Sequence, residues 1–112
     1  MAVALDRSTI ERIYTGRVVE VDGVRVTPVN LPAGNAIRES FLRDFLAQDE
    51  DKYTGYWTVR RYVGKGTPPR VLSSTTEVLE FVSRNAGAIG YIDGYVDGDA
   101  TRGVTTLLRN TP

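Results

Sequence analysis

The stretch from Ser74 to Asp93 reads STTEVLEFVSRNAGAIGYID. It opens on a capping box, Ser74-Thr75-Thr76-Glu77, in which a hydroxyl and a carboxylate satisfy free backbone donors of a first helical turn. Val78, Leu79, Phe81 and Val82 follow at helical spacing and predict one core-facing side. Asn85-Ala86-Gly87 ends that helix, because glycine adopts the left-handed conformation of a helix terminus without a Cβ clash. Ala88-Ile89-Gly90-Tyr91-Ile92 is then a short apolar run bounded by turn residues, the pattern of a buried strand. A helix leading at once into a buried strand is half of an α/β unit.

Working toward the N-terminus, Arg70–Leu72 predicts a short extended piece, and Gly64-Lys65-Gly66-Thr67-Pro68-Pro69 predicts a loop. Asp49-Glu50-Asp51 places negative charge at the start of a helix running to about Arg61. Another helix is predicted from about Asn35 to Gln48, with Ile37, Phe41, Leu42, Phe45 and Leu46 as its buried stripe and Glu39 and Arg43 as an outer i,i+4 pair. Arg17–Glu20 and Val24–Val29 predict strands around an Asp22-Gly23 hairpin turn. Leu5–Thr15 predicts a first helix, capped by Asp6, stapled by Leu5 and Ile10, and stopped at Gly16. Beyond Asp93, Asp93-Gly94 and Asp97-Gly98 predict turns, Gly103–Arg109 a last strand and Asn110–Pro112 a frayed tail.

At 112 residues the chain has room for one core, so residues 1–112 read as a single domain. Strands interleaved with helices make it α/β, a mixed sheet flanked by helices. The predicted core gathers Ile10, Ile13, Val26, Ile37, Phe41, Phe45, Val78, Phe81, Val82, Ile89 and Tyr91.

Composition removes several function classes. Fourteen Lys and Arg balance fourteen Asp and Glu. No net basic charge is available to release counterions from a nucleic acid, so no nucleic-acid partner is expected. The chain has no Cys and no His. Thiolate chemistry, sulfur metal sites, the usual general base near neutral pH and the commonest metal ligand go with them. No cofactor, metal site or catalytic residue is expected, because no nucleophile–base pair is visible. No apolar run approaches the roughly 20 residues of a membrane span, so no membrane insertion is expected. Met1–Leu5 has neither the basic n-region nor the apolar h-region of a signal peptide.

Four groups of residues invite a functional reading. Gly34-Asn35-Ala36 at a helix start, with Arg38 in the first turn, can offer free N–H groups and a charge to an anion; the plainer reading is a tight turn, an Asn cap and a solvated arginine. Gly64-Lys65-Gly66-Thr67 lacks the spacing of a phosphate-binding loop. Asp93, Asp97 and Asp99 lack the spacing of a calcium loop. Tyr53, Tyr56, Trp57, Tyr62, Arg60 and Arg61 have the composition of a recognition patch, against the plainer reading that aromatics at helical spacing cover a core.

Three segments together resemble one lobe of the periplasmic phosphate-binding proteins, the substrate-binding components of phosphate ABC transporters. They are Ile13-Tyr14-Thr15-Gly16-Arg17; Val26-Thr27-Pro28-Val29 with Ala33-Gly34-Asn35-Ala36 and Arg38-Glu39-Ser40-Phe41; and Gly87-Ala88-Ile89-Gly90-Tyr91-Ile92, where Ala86 stands for the family's proline. With the intervening Tyr56-Trp57 and Gly64-Lys65-Gly66 region the likeness spans roughly residues 5 to 95. The resemblance implies one lobe of the type II periplasmic binding-protein fold, a periplasmic location, no enzymatic activity, and phosphate or another small oxyanion bound at Gly34, Asn35, Ala36 and Arg38. In the family that turn carries Ser-Gly-Thr, with an arginine four residues before the serine. Here the matching positions are Asn35, Ala36 and Ile37, and the arginine position is Leu31. Those departures suit an alternative, a ligand-free module on the same lobe that binds a partner protein or a second copy of itself.

Overall fold

The structure, a computed structural model, describes residues 6–96 and 99–108, and the side chains of residues 6–92. Leu5 of the expected staple, the expected Asp97-Gly98 turn, Arg109 and the tail lie outside the described residues. Helix α1 spans Arg7–Tyr14, with the Asp6 carboxylate accepting from the Thr9 N–H at 2.7 Å. Gly16, at φ +74°, takes the chain out of it.

Strands β1 (Glu20–Val21) and β2 (Val24–Arg25) form a hairpin. Asp22 and Gly23 have φ of +51° and +80°, as a two-residue turn matched to strand twist requires. The expected strand over Val24–Val29 breaks at Val26. The Val26 N–H still bonds the hairpin side, at the Val19 carbonyl, whereas the Thr27 N–H bonds the Gly87 carbonyl in the main sheet. Strand β3 (Thr27–Asn30) therefore belongs to a different sheet from β2.

Helix α2 (Ala36–Phe41) continues as a π-helical turn, Leu42–Leu46, where the pattern predicts one unbroken helix to Gln48. The wider turn buries Leu42 and Leu46 beside Phe41 and leaves Phe45 stacked on the Phe41 ring at 5.2 Å. Ala47, at φ +54°, closes it. Helix α3 (Glu50–Tyr62) is capped by Asp49, and α4 (Thr75–Arg84) by Ser74. The expected capping box is shifted by one residue: Ser74 Oγ accepts from the Glu77 N–H, but Glu77 Oε1 accepts from the Ser73 N–H and hydroxyl.

The main sheet has the order β4-β3-β5-β6, with β4 at Arg70–Val71, β5 at Ala88–Val96 and β6 at Asp99–Leu108. β3 runs parallel to β4 and β5, and β6 is antiparallel to β5. Asp93-Gly94 is not a turn, as the sequence predicts, but an irregularity inside β5. Pairing with β6 resumes beyond it, Tyr95 opposite Ala100 after Asp93 opposite Val104, so the strand bends instead of reversing.

Helices cover both faces of this sheet. Gly90 faces α4: a Cβ there would lie 2.6 Å from Val78 Cγ1 and 3.4 Å from Val82 Cγ2. On the opposite face the Tyr91 ring stacks on Phe41 at 3.9 Å, with Tyr14 edge-on to both. Gly87 fastens the hairpin to the start of β5. It has φ +80°, and a Cβ would fall 2.0 Å from the Arg25 carbonyl oxygen.

Of the predicted core, Ile37, Phe45 and Phe81 are half-buried and pack against its rim; the other eight positions are buried. Phe41 is fully enclosed and touches three aromatic rings, so Phe41→Ala should cost about 3–5 kcal/mol. Phe81 lies half open beneath the Arg70 guanidinium, and Phe81→Ala should cost roughly half as much or less. Urea unfolding of both variants checks the ranking; equal losses would contradict the placement of Phe41.

Candidate functional site

The predicted anion-binding residues do not stay together as a cradle. Gly34 is exposed, at φ +89°, and makes the tight turn. Asn35 caps α2, its Oδ1 accepting from the Ile37 N–H at 2.8 Å and the Arg38 N–H at 3.2 Å. Of the three expected backbone donors, the Asn35 N–H is already paired, with the Pro32 carbonyl at 3.1 Å. Ala36 follows as the first residue of a six-residue helix.

Arg38 departs furthest from its expected role as a solvated first-turn arginine. Its side chain is only 8% exposed and turns toward α3. Its Nε and one terminal nitrogen donate to the two Glu50 carboxylate oxygens at 2.8 and 2.6 Å; the other terminal nitrogen donates to the Leu31 carbonyl at 3.0 Å. Its guanidinium carbon lies 5.4 Å from the centre of the Tyr53 ring. Thr54 Oγ1 donates to Glu50 as well. A carboxylate of the chain itself sits where an external oxyanion would need the charge.

The aromatic segment of α3 resolves into two parts. Tyr53, Tyr56, Trp57 and Arg60 recur at i, i+3, i+4 and i+7, one face of a helix. That face meets the end of α1, whose last carbonyls have no partner within their own helix. The Tyr53 hydroxyl and the Trp57 indole N–H both donate to the Tyr14 carbonyl, at 3.0 and 3.2 Å. The Tyr56 hydroxyl donates to the Thr15 carbonyl at 2.7 Å, and Arg60 to the Gly16 carbonyl at 3.3 Å. Positive charge is favourable at that end of the helix dipole. The other part, Arg61 and Tyr62, is exposed.

Behind this contact lies a buried polar network. The Tyr14 hydroxyl is shared between the Val29 and Ile89 carbonyls. Asn30 donates from Nδ2 to the Tyr53 oxygen and accepts at Oδ1 from the Tyr91 hydroxyl, which in turn accepts from the Leu31 N–H. Burial pushes the phenols of Tyr14, Tyr53 and Tyr91 above the ordinary range. These groups therefore serve as neutral hydrogen-bonding struts.

A cleft of about 250 Å³ opens beside the network, between α3 and β4. Asn30, Arg38, Tyr53, Trp57 and Arg61 form one side, and Pro68, Pro69 and Val71 the other. The Gly64–Pro69 segment is the expected loop, with φ of +78° at Gly64 and +110° at Gly66. Among the described residues no three His, Cys, Asp or Glu side chains gather as a metal site, and no helix is long and apolar enough to cross a membrane.

Sequence reading misses Glu50 and Asn30. Glu50 is masked by its place in an acidic helix start, where a dipole role suffices to explain it. Asn30 reads as a loop residue before a proline. No family model, curated protein or solved structure matches the chain.

Removing the Arg38 side chain would leave the Leu31 carbonyl unpaired and Glu50 with only Thr54 and solvent. Arg38→Ala should therefore lower unfolding free energy by about 2–4 kcal/mol, moderated because Glu50 is partly open to water. Denaturant melts check this. Unchanged stability would mean that the arginine is free for a ligand.

Proposed function

We propose that the chain is a non-enzymatic protein-interaction module built on one lobe of the type II periplasmic binding-protein fold. In this reading it retains the frame of a phosphate ABC transporter substrate-binding protein and no longer uses the phosphate turn. Its location, by the same resemblance, is the periplasm. The mixed sheet, covered by α4 on one face and by α1 and α2 on the other, supports the lobe reading. The absence of His and Cys from the sequence supports the non-enzymatic one.

One observation carries the choice between oxyanion binding and partner binding: the Arg38 guanidinium is buried against Glu50 in a two-bond pair. An oxyanion at Gly34–Arg38 that draws on the arginine's charge would have to displace that carboxylate. Displacing the pair means separating hydrogen-bonded charges, which costs more than a single-sided contact with a hydrated phosphate returns.

Amide chemical shifts under phosphate and sulfate titration at low salt test this directly. Gly34, Asn35, Ala36 and the Arg38 side-chain Nε–H should not move up to millimolar anion. Saturable shifts centred on these four residues would restore the oxyanion-binding function.

A further inference from the structure

The chain is neutral overall, but from Lys52 to Thr76 it contains no Asp or Glu and five cations: Lys52, Arg60, Arg61, Lys65 and Arg70. The fold gathers four of these, all but Lys52, at the C-terminal end of α3 and on the loop and edge strand beyond it. Two clefts meet there, of about 250 and 360 Å³, sharing Trp57, Pro68 and Pro69 as a common wall. Arg38 and Arg61 line the first, Arg25 and Arg70 the second, and neither is lined by a carboxylate. Val71, 53% exposed, lines the first cleft, and Val59 and Tyr62, 63% and 91% exposed, flank Arg60 and Arg61 in the last turn of α3.

The arginines differ in what they have left to offer. Arg38 is neutralised by Glu50, Arg25 lies opposite Glu20 across the hairpin, and Arg70 lies close enough to Glu77 to stabilise its charge. Arg61 makes no ion pair among the described residues. Arg60 lies over the Tyr56 and Trp57 rings, at 5.6 and 5.8 Å, and donates to the Gly16 carbonyl, and among the described residues its buried Nε has no partner. A guanidinium held between two rings and a carbonyl has a restricted orientation, and its remaining terminal N–H groups suit a carboxylate. Among the described residues β4 is an edge strand, paired only with β3, so an extended chain can lie along its open side.

We propose that this face docks an acidic, extended segment of a partner protein, with carboxylates on Arg60 and Arg61 and apolar side chains against Tyr62 and the Pro68–Val71 wall. The inference rests on the interaction-module reading and names its surface and partner chemistry. The exposed apolar groups are Val, Tyr and Pro rather than the Trp, Phe and Leu that seat a helix in a lipid interface. Tyr and Arg are instead the residues that dominate protein–protein hot spots.

The probe is a labelled synthetic peptide of alternating Glu and Val, about ten residues long, with a Lys-Val peptide as its control. Anisotropy should report salt-sensitive binding of the acidic peptide only, with amide shifts confined to residues 59–62 and 68–71. Arg61→Glu should weaken it about tenfold or more, whereas Arg84→Glu, the same charge change on α4, should leave it within about twofold. Equal losses in the two variants, or no binding of the acidic peptide, would overturn the inference. So would a preference of the same face for anionic vesicles, duplex DNA or a second copy of the chain; self-association would leave the interaction-module reading standing. Saturable phosphate shifts at Gly34–Arg38 would remove that reading instead, whatever the peptide does.

Discussion

Helix α1 ends inside the protein, and its last carbonyls must be paired there. An unpaired buried carbonyl costs as much as a lost hydrogen bond or more, so whatever packs against that end has to carry donors. Helix α3 supplies four of them from one face: Tyr53, Tyr56, Trp57 and Arg60. Much else follows from this contact. Gly16 must lack a Cβ, because one would lie 2.8 Å from Trp57 Cη2. Tyr53 must reach past α1 to Asn30, and Asn30 then holds Tyr91. Tyr14 closes the arrangement by tying α1 to both β3 and β5. Three phenols, an indole and a carboxamide thus do in the core what regular backbone pairing does elsewhere.

The functional argument has the same origin. α3 is anchored at one end by Glu50 on Arg38 and along its length by the donors to α1. Its polar groups are committed inward, and the turn at Gly34–Ala36 leads into a helix capped by Asn35. What remains available is the far end of α3, where the cations outnumber their partners and the apolar side chains are open. Packing contacts and open side chains are therefore largely segregated along one helix. Its first turn and inner face hold the fold, and its outer C-terminal end faces solvent.

Most of the architecture was legible in the sequence because it rests on local chemistry. Asp6 and Ser74 cap helices as their positions predict, and the acidic Asp49–Asp51 segment starts one; Asp22-Gly23 makes its hairpin; Gly16 and Gly87 occupy left-handed positions. Departures arise where a distant partner decides. The break at Val26 depends on the Gly87 carbonyl, the π turn at Leu42–Leu46 on packing around Phe41, and the continuation of β5 through Asp93-Gly94 on pairing with β6. The site was least legible. Periodicity identifies Tyr53 and Trp57 as core, but not that their polar ends cap another helix. Nothing local to Arg38 announces a partner twelve residues away on a separate helix.

Tyr14, Tyr53 and Tyr91 form a buried, hydrogen-bonded network on which the packing of α1, α3, β3 and β5 depends. Their phenols are held above the ordinary range, near about 10, chiefly by burial. The unfolded chain loses those protons first as pH rises past that range, so folding stability is full below it and falls above it. Tyrosinate absorbance recorded together with circular dichroism during alkaline titration reads this in one experiment. The account predicts that Tyr14, Tyr53 and Tyr91 stay neutral until the fold is lost, then ionise together with unfolding. Ionisation of all six tyrosines near the ordinary phenol range, with the circular dichroism unchanged, would contradict it.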